Sequence, residues 1–267
     1  AAELNEASDR FTEELKAIRT RIDELLRAAS GARVWGRESA GQFEALLRGL
    51  RGLQGGDYAA AEDGISAALG EPDLRAFERV LRFQRGIVRS HRKEFRAARE
   101  DLLGVAKVWD RSAWLQFHLG RCWFGEALEE RARGGDPRAS LRSAIAAYDL
   151  TRAISSGFAY VLSHRADAYE ALAWAEANRG IDPRATLQKA LQDARDYCDA
   201  VPQDRVGAIL LANVLYQTGK AEVSFGGDPS RWYGAAREAL DEVLRIGGGE
   251  RNAWFNRAQI LLALADQ

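Results

Sequence analysis

Gly134-Gly135-Asp136-Pro137 is followed 46 residues later by Gly180-Ile181-Asp182-Pro183, and 46 residues after that by Gly226-Gly227-Asp228-Pro229. Each tetrapeptide reads as a stop followed by a start. Glycine closes a helix because it accepts the left-handed backbone of the C-cap. Aspartate accepts the free N–H groups of the next first turn, and proline suits the first helical position, whose N–H needs no partner. Three evenly spaced aspartates also resemble a metal-binding ladder, but each already has a capping role beside its proline. Two further columns keep the period: Gly120, Ala166, Ala212 and Ala258, and Ala144, Ala190 and Ala236. Small residues at fixed spacing allow helices to approach closely, and a constant period of this length marks stacked repeats. The expected fold is all-α, a solenoid of helix-turn-helix units.

Composition agrees. The 267 residues are 46% hydrophobic and 29% charged with five prolines, which suits a helical protein without strands. A net charge of -1 supplies no global field to recruit nucleic acid or an anionic membrane. Cys122 and Cys198 lack metal-type spacing and read as small buried hydrophobes of a reducing compartment, hence a cytoplasmic chain. No apolar run approaches the roughly 18 residues needed to cross a bilayer and no signal pattern opens the chain, so a soluble protein with no membrane partner is expected. The lack of any methionine, position 1 included, predicts a processed, excised or engineered chain.

Residues 1–30 carry Leu4, Phe11, Leu15, Ile18, Ile22, Leu25 and Leu26 at steps of three and four. This predicts an amphipathic helix that caps the array, or alternatively pairs with a second copy. Residues 39–267 then hold about five helical hairpins and a final unpaired helix. That last helix, with Trp254, Phe255, Ile260, Leu261, Leu262 and Leu264, is apolar over much of its circumference. Either the native chain continues past it or the end meets another copy, giving a homo-oligomer.

Shorter units precede the 46-residue ones. Gly49, the turn Gly55-Gly56-Asp57-Tyr58, then Ala61, Ile65, Ala68-Leu69 and Pro72 form one. Gly86, Lys93-Glu94-Phe95, Ala98 and Leu102 form a second, and Gly86 to Gly120 is 34 residues. Trp114, Leu119-Gly120 and Trp123 open a third. This order resembles the tetratricopeptide repeat, which implies a right-handed superhelical solenoid. The longer units, as in Arg165-Ala166-Asp167-Ala168-Tyr169 followed by Asp182-Pro183-Arg184-Ala185, are similar in style to arrays associated with bacterial serine/threonine kinases and signalling proteins. No kinase motif accompanies them.

No catalytic constellation, cofactor fingerprint or metal motif is found, so a non-enzymatic chain without cofactors is expected. His118 and His164 lie one period apart, about 10 Å by helix spacing, too far to share a metal. What remains is a surface. The resemblance implies that first helices line a concave groove that takes a partner protein or peptide. By register it assigns the groove to Leu46 and Leu50; Phe83 and Ile87; Trp114, Phe117, Arg121 and Phe124; Tyr160, Ser163, Asp167 and Glu170; and Ile209, Asn213 and Tyr216. The family's carboxylate clamp is not reproduced, since Arg121 and Asn213 stand without its lysines. Between Arg75 and Lys107, ten basic residues face four acidic ones. Arg75, Arg79, Arg82 and Arg89 share one helical face, so an acidic partner or nucleic acid is the alternative ligand.

Overall fold

A computed structural model describes residues 48–49, 51–52, 55–202, 204–247, 257 and 259–261. Among these residues every regular element is a helix: α1 (Tyr58–Leu69), a 3-10 helix (Pro72–Phe77), α2 (Glu78–His91), α3 (Phe95–Ala106), α4 (Ala113–Ala132), α5 (Arg138–Ile154), α6 (Tyr160–Ala177), α7 (Arg184–Ala200), α8 (Arg205–Ser224) and α9 (Ser230–Gly247). The helix expected over 1–30, the groove positions Leu46 and Leu50, and Trp254, Phe255, Leu262 and Leu264 lie outside the described residues. The chain divides into two compact units, one running to Glu126 and taking in Ala153–Ser155, the other holding Ala127–Arg152 and Ser156 onward.

In the first unit α1 packs on α2 and α2 on α3. Asp57 starts α1 by accepting from the Ala60 N–H at 3.0 Å, and Ala61, Ile65, Ala68, Leu74, Leu81 and Val88 form the core beneath. Gly86 is small for a reason: a Cβ there would come within 2.8 Å of Leu102. The turns before α1 and α3 are equivalent, yet one uses Gly56 (φ 73°) and the other Lys93 (φ 64°) in the left-handed region. The basic stretch is not one helix. Pro72 opens a 3-10 helix holding Arg75, and α2 starts afresh at Glu78, so Arg75 leaves the face shared by the other arginines.

The second unit shows why the repeat lengthens to 46 residues. Where α2 and α3 have 14 and 12 residues, α6 and α7 have 18 and 17, and α8 and α9 have 20 and 18. The added residues supply about one further turn or more to each helix. The punctuation works as its chemistry requires. Gly134, Gly180 and Gly226 take φ of 76°, 70° and 76°, and the next residue's N–H returns to the carbonyl of Glu130, Glu176 or Glu222. Asp136, Asp182 and Asp228 accept from the backbone N–H two residues on, at 3.3, 3.0 and 2.9 Å. Each helix then begins one residue past its proline, whose carbonyl accepts the first backbone bond.

Within this unit α6 packs against α8, while α7 bridges both and α9 lies on α8. The first helices thus form one layer and α7 backs it. Ala166, Ala190, Ala212 and Ala236 are fully buried at the crossings, as small columns at close approach should be. Leu191, Leu210, Val214, Leu215, Leu240 and Ile260 fill the remaining core.

Candidate functional site

Arginine–aspartate clamps bolt the helices and account for much of the basic stretch. In the first unit Asp101 of α3, only 3% exposed, takes two hydrogen bonds from Arg85 at 2.7 Å each and one from Arg89 at 2.9 Å. Arg89 also reaches Glu62 of α1 at 2.7 Å, as does Arg92. Arg82 bonds to Glu78 one turn back at 2.8 Å, whereas Arg75 and Arg79 are exposed. In the second unit Asp193 of α7, 2% exposed, holds Arg165 of α6 through bonds of 2.7 and 2.6 Å, and Arg165 also grips Asp149 of α5. Burial opposes the charge on Arg165, but these bonds raise its affinity for the proton above the ordinary value. Arg89 therefore commits its guanidinium to carboxylates of the fold, whereas Arg82 makes only an exposed pair one turn back, and Arg75 and Arg79 face solvent as a docking patch would.

The predicted groove residues of the first unit divide between core and surface. Phe83 and Phe117 are 4% and 6% exposed, and both pack their rings edge-on against His118, at 6.0 and 5.5 Å. Phe83 also meets the ring of Trp109 and Phe117 that of Trp114, each at 6.2 Å. Trp114 is half exposed and stacks on His118 at 6.0 Å, while Ile87, Arg121 and Phe124 are half-buried. Cys122 is buried and its thiol pushed up to about 12, chiefly by desolvation, so it is not a nucleophile.

In the second unit Tyr160, Ser163, Asp167, Glu170 and Trp174 follow one another at steps of three and four along α6. Tyr160 is 59% and Trp174 44% exposed, and Asp167 is exposed between them. Ser163 is buried and bonds to the Tyr160 carbonyl at 2.9 Å. Forty-six residues on, Val206, Ile209, Asn213, Tyr216 and Lys220 form the matching stripe on α8. Trp174 and Lys220 escaped the sequence reading, although one more step along the stripe reaches them. They sit on the turn that the longer repeat adds.

Asp167 and Glu170 differ from the clamp aspartates. Neither makes a hydrogen bond or ion pair among the described residues. Asp167 is open at the surface, but the protein around it displaces enough water to raise its pKa to about 6. Desolvation, then the charge of Asp167, raises Glu170 to about 7, against the weaker opposing field of Arg131. Beyond Glu170 a cleft of about 250 Å³ opens between α6 and α8, walled by Trp174 and Phe225 and rimmed by Asn178, Gln217 and Lys220. Among the described residues no three His, Cys, Asp or Glu side chains converge as metal ligands would, and no helix is long and apolar enough to cross a membrane.

No family model matches the chain, and no curated protein matches it. Among solved structures it is similar to MamA protein, at 14% identity and a TM-score of 0.51, with 78% of this chain and 97% of that one covered. It is similar also to a thermophilic TPR protein of Thermus thermophilus, again at 14% identity and 0.51, covering 83% and 99%. Likeness at such low identity is likeness of fold. With sequential helical hairpins, small residues at their crossings and a left-handed residue in the turn within each hairpin, the chain has the tetratricopeptide-repeat fold.

Proposed function

We propose that the chain is a non-catalytic scaffold or adaptor that holds a segment of another protein along the open face of its first helices. In this reading it serves as the regulatory or sensor part of a bacterial signalling protein in the cytoplasm. The observation that carries the proposal is the composition of the α6–α8 face. Tyr160 and Trp174 are exposed beside Asp167, itself exposed, and the half-buried Glu170, two carboxylates without a direct partner among the described residues. Exposed rings and desolvated charge contribute nothing to folding, and both are recovered when a partner covers them. The fold supports the same reading, since stacked hairpins present long, regular surfaces. The clamp of Arg89 weighs against nucleic acid as the ligand, because phosphate would have to displace Glu62 and Asp101 from it.

A photo-crosslinking residue placed at Tyr160 or Tyr216 should capture a partner from the native source. The same residue at Arg195, exposed on α7, should not. Equal capture from both positions, or capture only from α7, would sink the proposal.

A further inference from the structure

We propose that the face built by α6 and α8 recognises a basic peptide segment, with a Lys or Arg side chain set against Asp167 and Glu170 and an adjacent apolar side chain in the cleft between Trp174 and Phe225. This rests on reading the face as a protein-binding surface and specifies the partner's chemistry.

The floor of the cleft separates this repeat from the one that follows it. Its floor is Ala173, Leu187 and Ala221, which pack together and are buried. One period on, the positions of Ala173 and Leu187 are held by Gly219 and Tyr233, and the Tyr233 ring closes over the glycine. With Ala and Leu in those places the space stays open, its floor and walls apolar at Leu187, Ala221, Trp174 and Phe225 and its rim polar at Glu170, Gln217 and Lys220, so the apolar part of a side chain fits against the floor.

Charge decides what stands next to that side chain. Elsewhere in the unit a desolvated carboxylate comes with its arginine, as Asp193 does with Arg165. Asp167 and Glu170, one turn apart on one stripe, have no such cation. The two cations of this side are turned to aromatic rings instead: Arg131 lies 5.0 Å from the centre of Trp174, and Lys220 lies 5.8 Å from that of Tyr216. A carboxylate pair beside rings that already accept cations is complementary to Lys or Arg, through ion pairing and the ring quadrupole together. An acidic or phosphorylated segment would meet both carboxylates and be repelled.

The whole chain should be panned against a random twelve-residue peptide library displayed on phage, and enriched peptides synthesised and titrated against D167N/E170Q and W174A. Enriched peptides should carry Lys or Arg next to a large apolar residue. They should bind D167N/E170Q at least about tenfold more weakly, with the variant's unfolding midpoint no lower than that of the parent. Enriched peptides that are acidic, or that lose binding to W174A but not to D167N/E170Q, would overturn the basic-peptide inference while leaving the face a protein-binding surface. If enriched peptides are indifferent to every substitution on the face, or none is enriched, both readings fall.

Discussion

Asp101 and Asp193 lie between helices, and each is met by arginines within 3 Å. Asp167 and Glu170 lie on the open side of α6 and are met by none. The first set loses its water and recovers the loss inside the molecule, whereas Asp167 stays at the surface and Glu170 is half-buried with no such return among the described residues. The difference separates carboxylates that build the fold from carboxylates that await something. It also explains why counting charge along the chain misleads. Four of the ten basic residues between Arg75 and Lys107, namely Arg82, Arg85, Arg89 and Arg92, pair with Glu78, Asp101 or Glu62, whereas the smaller acidic run on α6 stays open to a partner.

The most direct way to break this comparison is to remove one partner of a clamp. Asp193→Ala leaves Arg165 buried with only Asp149 to answer it, and Asp101→Ala strips Arg85 of both its short bonds. Each should cost about 3–5 kcal/mol of stability. Asp167→Ala should cost no stability, since the raised pKa of Asp167 means that its charge opposes folding near neutral pH. Chemical unfolding of the three variants decides the matter. Similar losses in all three would mean that Asp167 is as structural as Asp193.

A second substitution sharpens the contrast between neighbouring repeats. A Cβ at Gly219 would overlap the Tyr233 ring, whereas Ala173 and Leu187 occupy the same two places one repeat earlier without conflict. Gly219→Ala should therefore cost about 1–3 kcal/mol through overpacking. Adding Tyr233→Leu should return much of that loss, so that the pair is clearly non-additive in a double-mutant cycle. Additive losses would show that the ring and the glycine are not packed on each other.

How much of this could be read from the chain follows from which features are local. The period, the Gly-x-Asp-Pro punctuation and the Ala columns are set by neighbours in sequence, and their chemistry alone fixes stop, start and close approach. The stripe Tyr160, Asp167, Glu170 is likewise a matter of helical register. What register leaves open is depth. Phe83 and Phe117 occupy groove positions by register, but His118 and Trp109 bring rings around them and they sink into the core. The pairing of Arg89 with both Glu62 and Asp101 spans three helices, and no spacing along the chain announces it. The cleft depends on which residue of α7 meets which residue of α6, so it too was invisible until the helices were packed.

The smallest effect tests the open-face carboxylates through pH. Their pKa values of about 6 and about 7 lie above the ordinary 3.8 and 4.5, so the folded chain binds these protons more tightly than the unfolded one. Stability from the two groups is thus greatest when both are protonated, and it declines as pH rises from about 4 through about 7. Arg131 and Lys220, the cations of the same side, are present in parent and variant alike, so a difference between the two profiles belongs to Asp167 and Glu170. Unfolding midpoints measured from pH 5 to pH 8 should fall more for the parent than for D167N/E170Q, whose amides have no proton to lose. A bound basic peptide should flatten the parent's slope as well, because a cation beside the carboxylates supplies what the fold withholds. Parent and variant with parallel profiles would place Asp167 and Glu170 among ordinary solvated carboxylates and erase the contrast with Asp101 and Asp193.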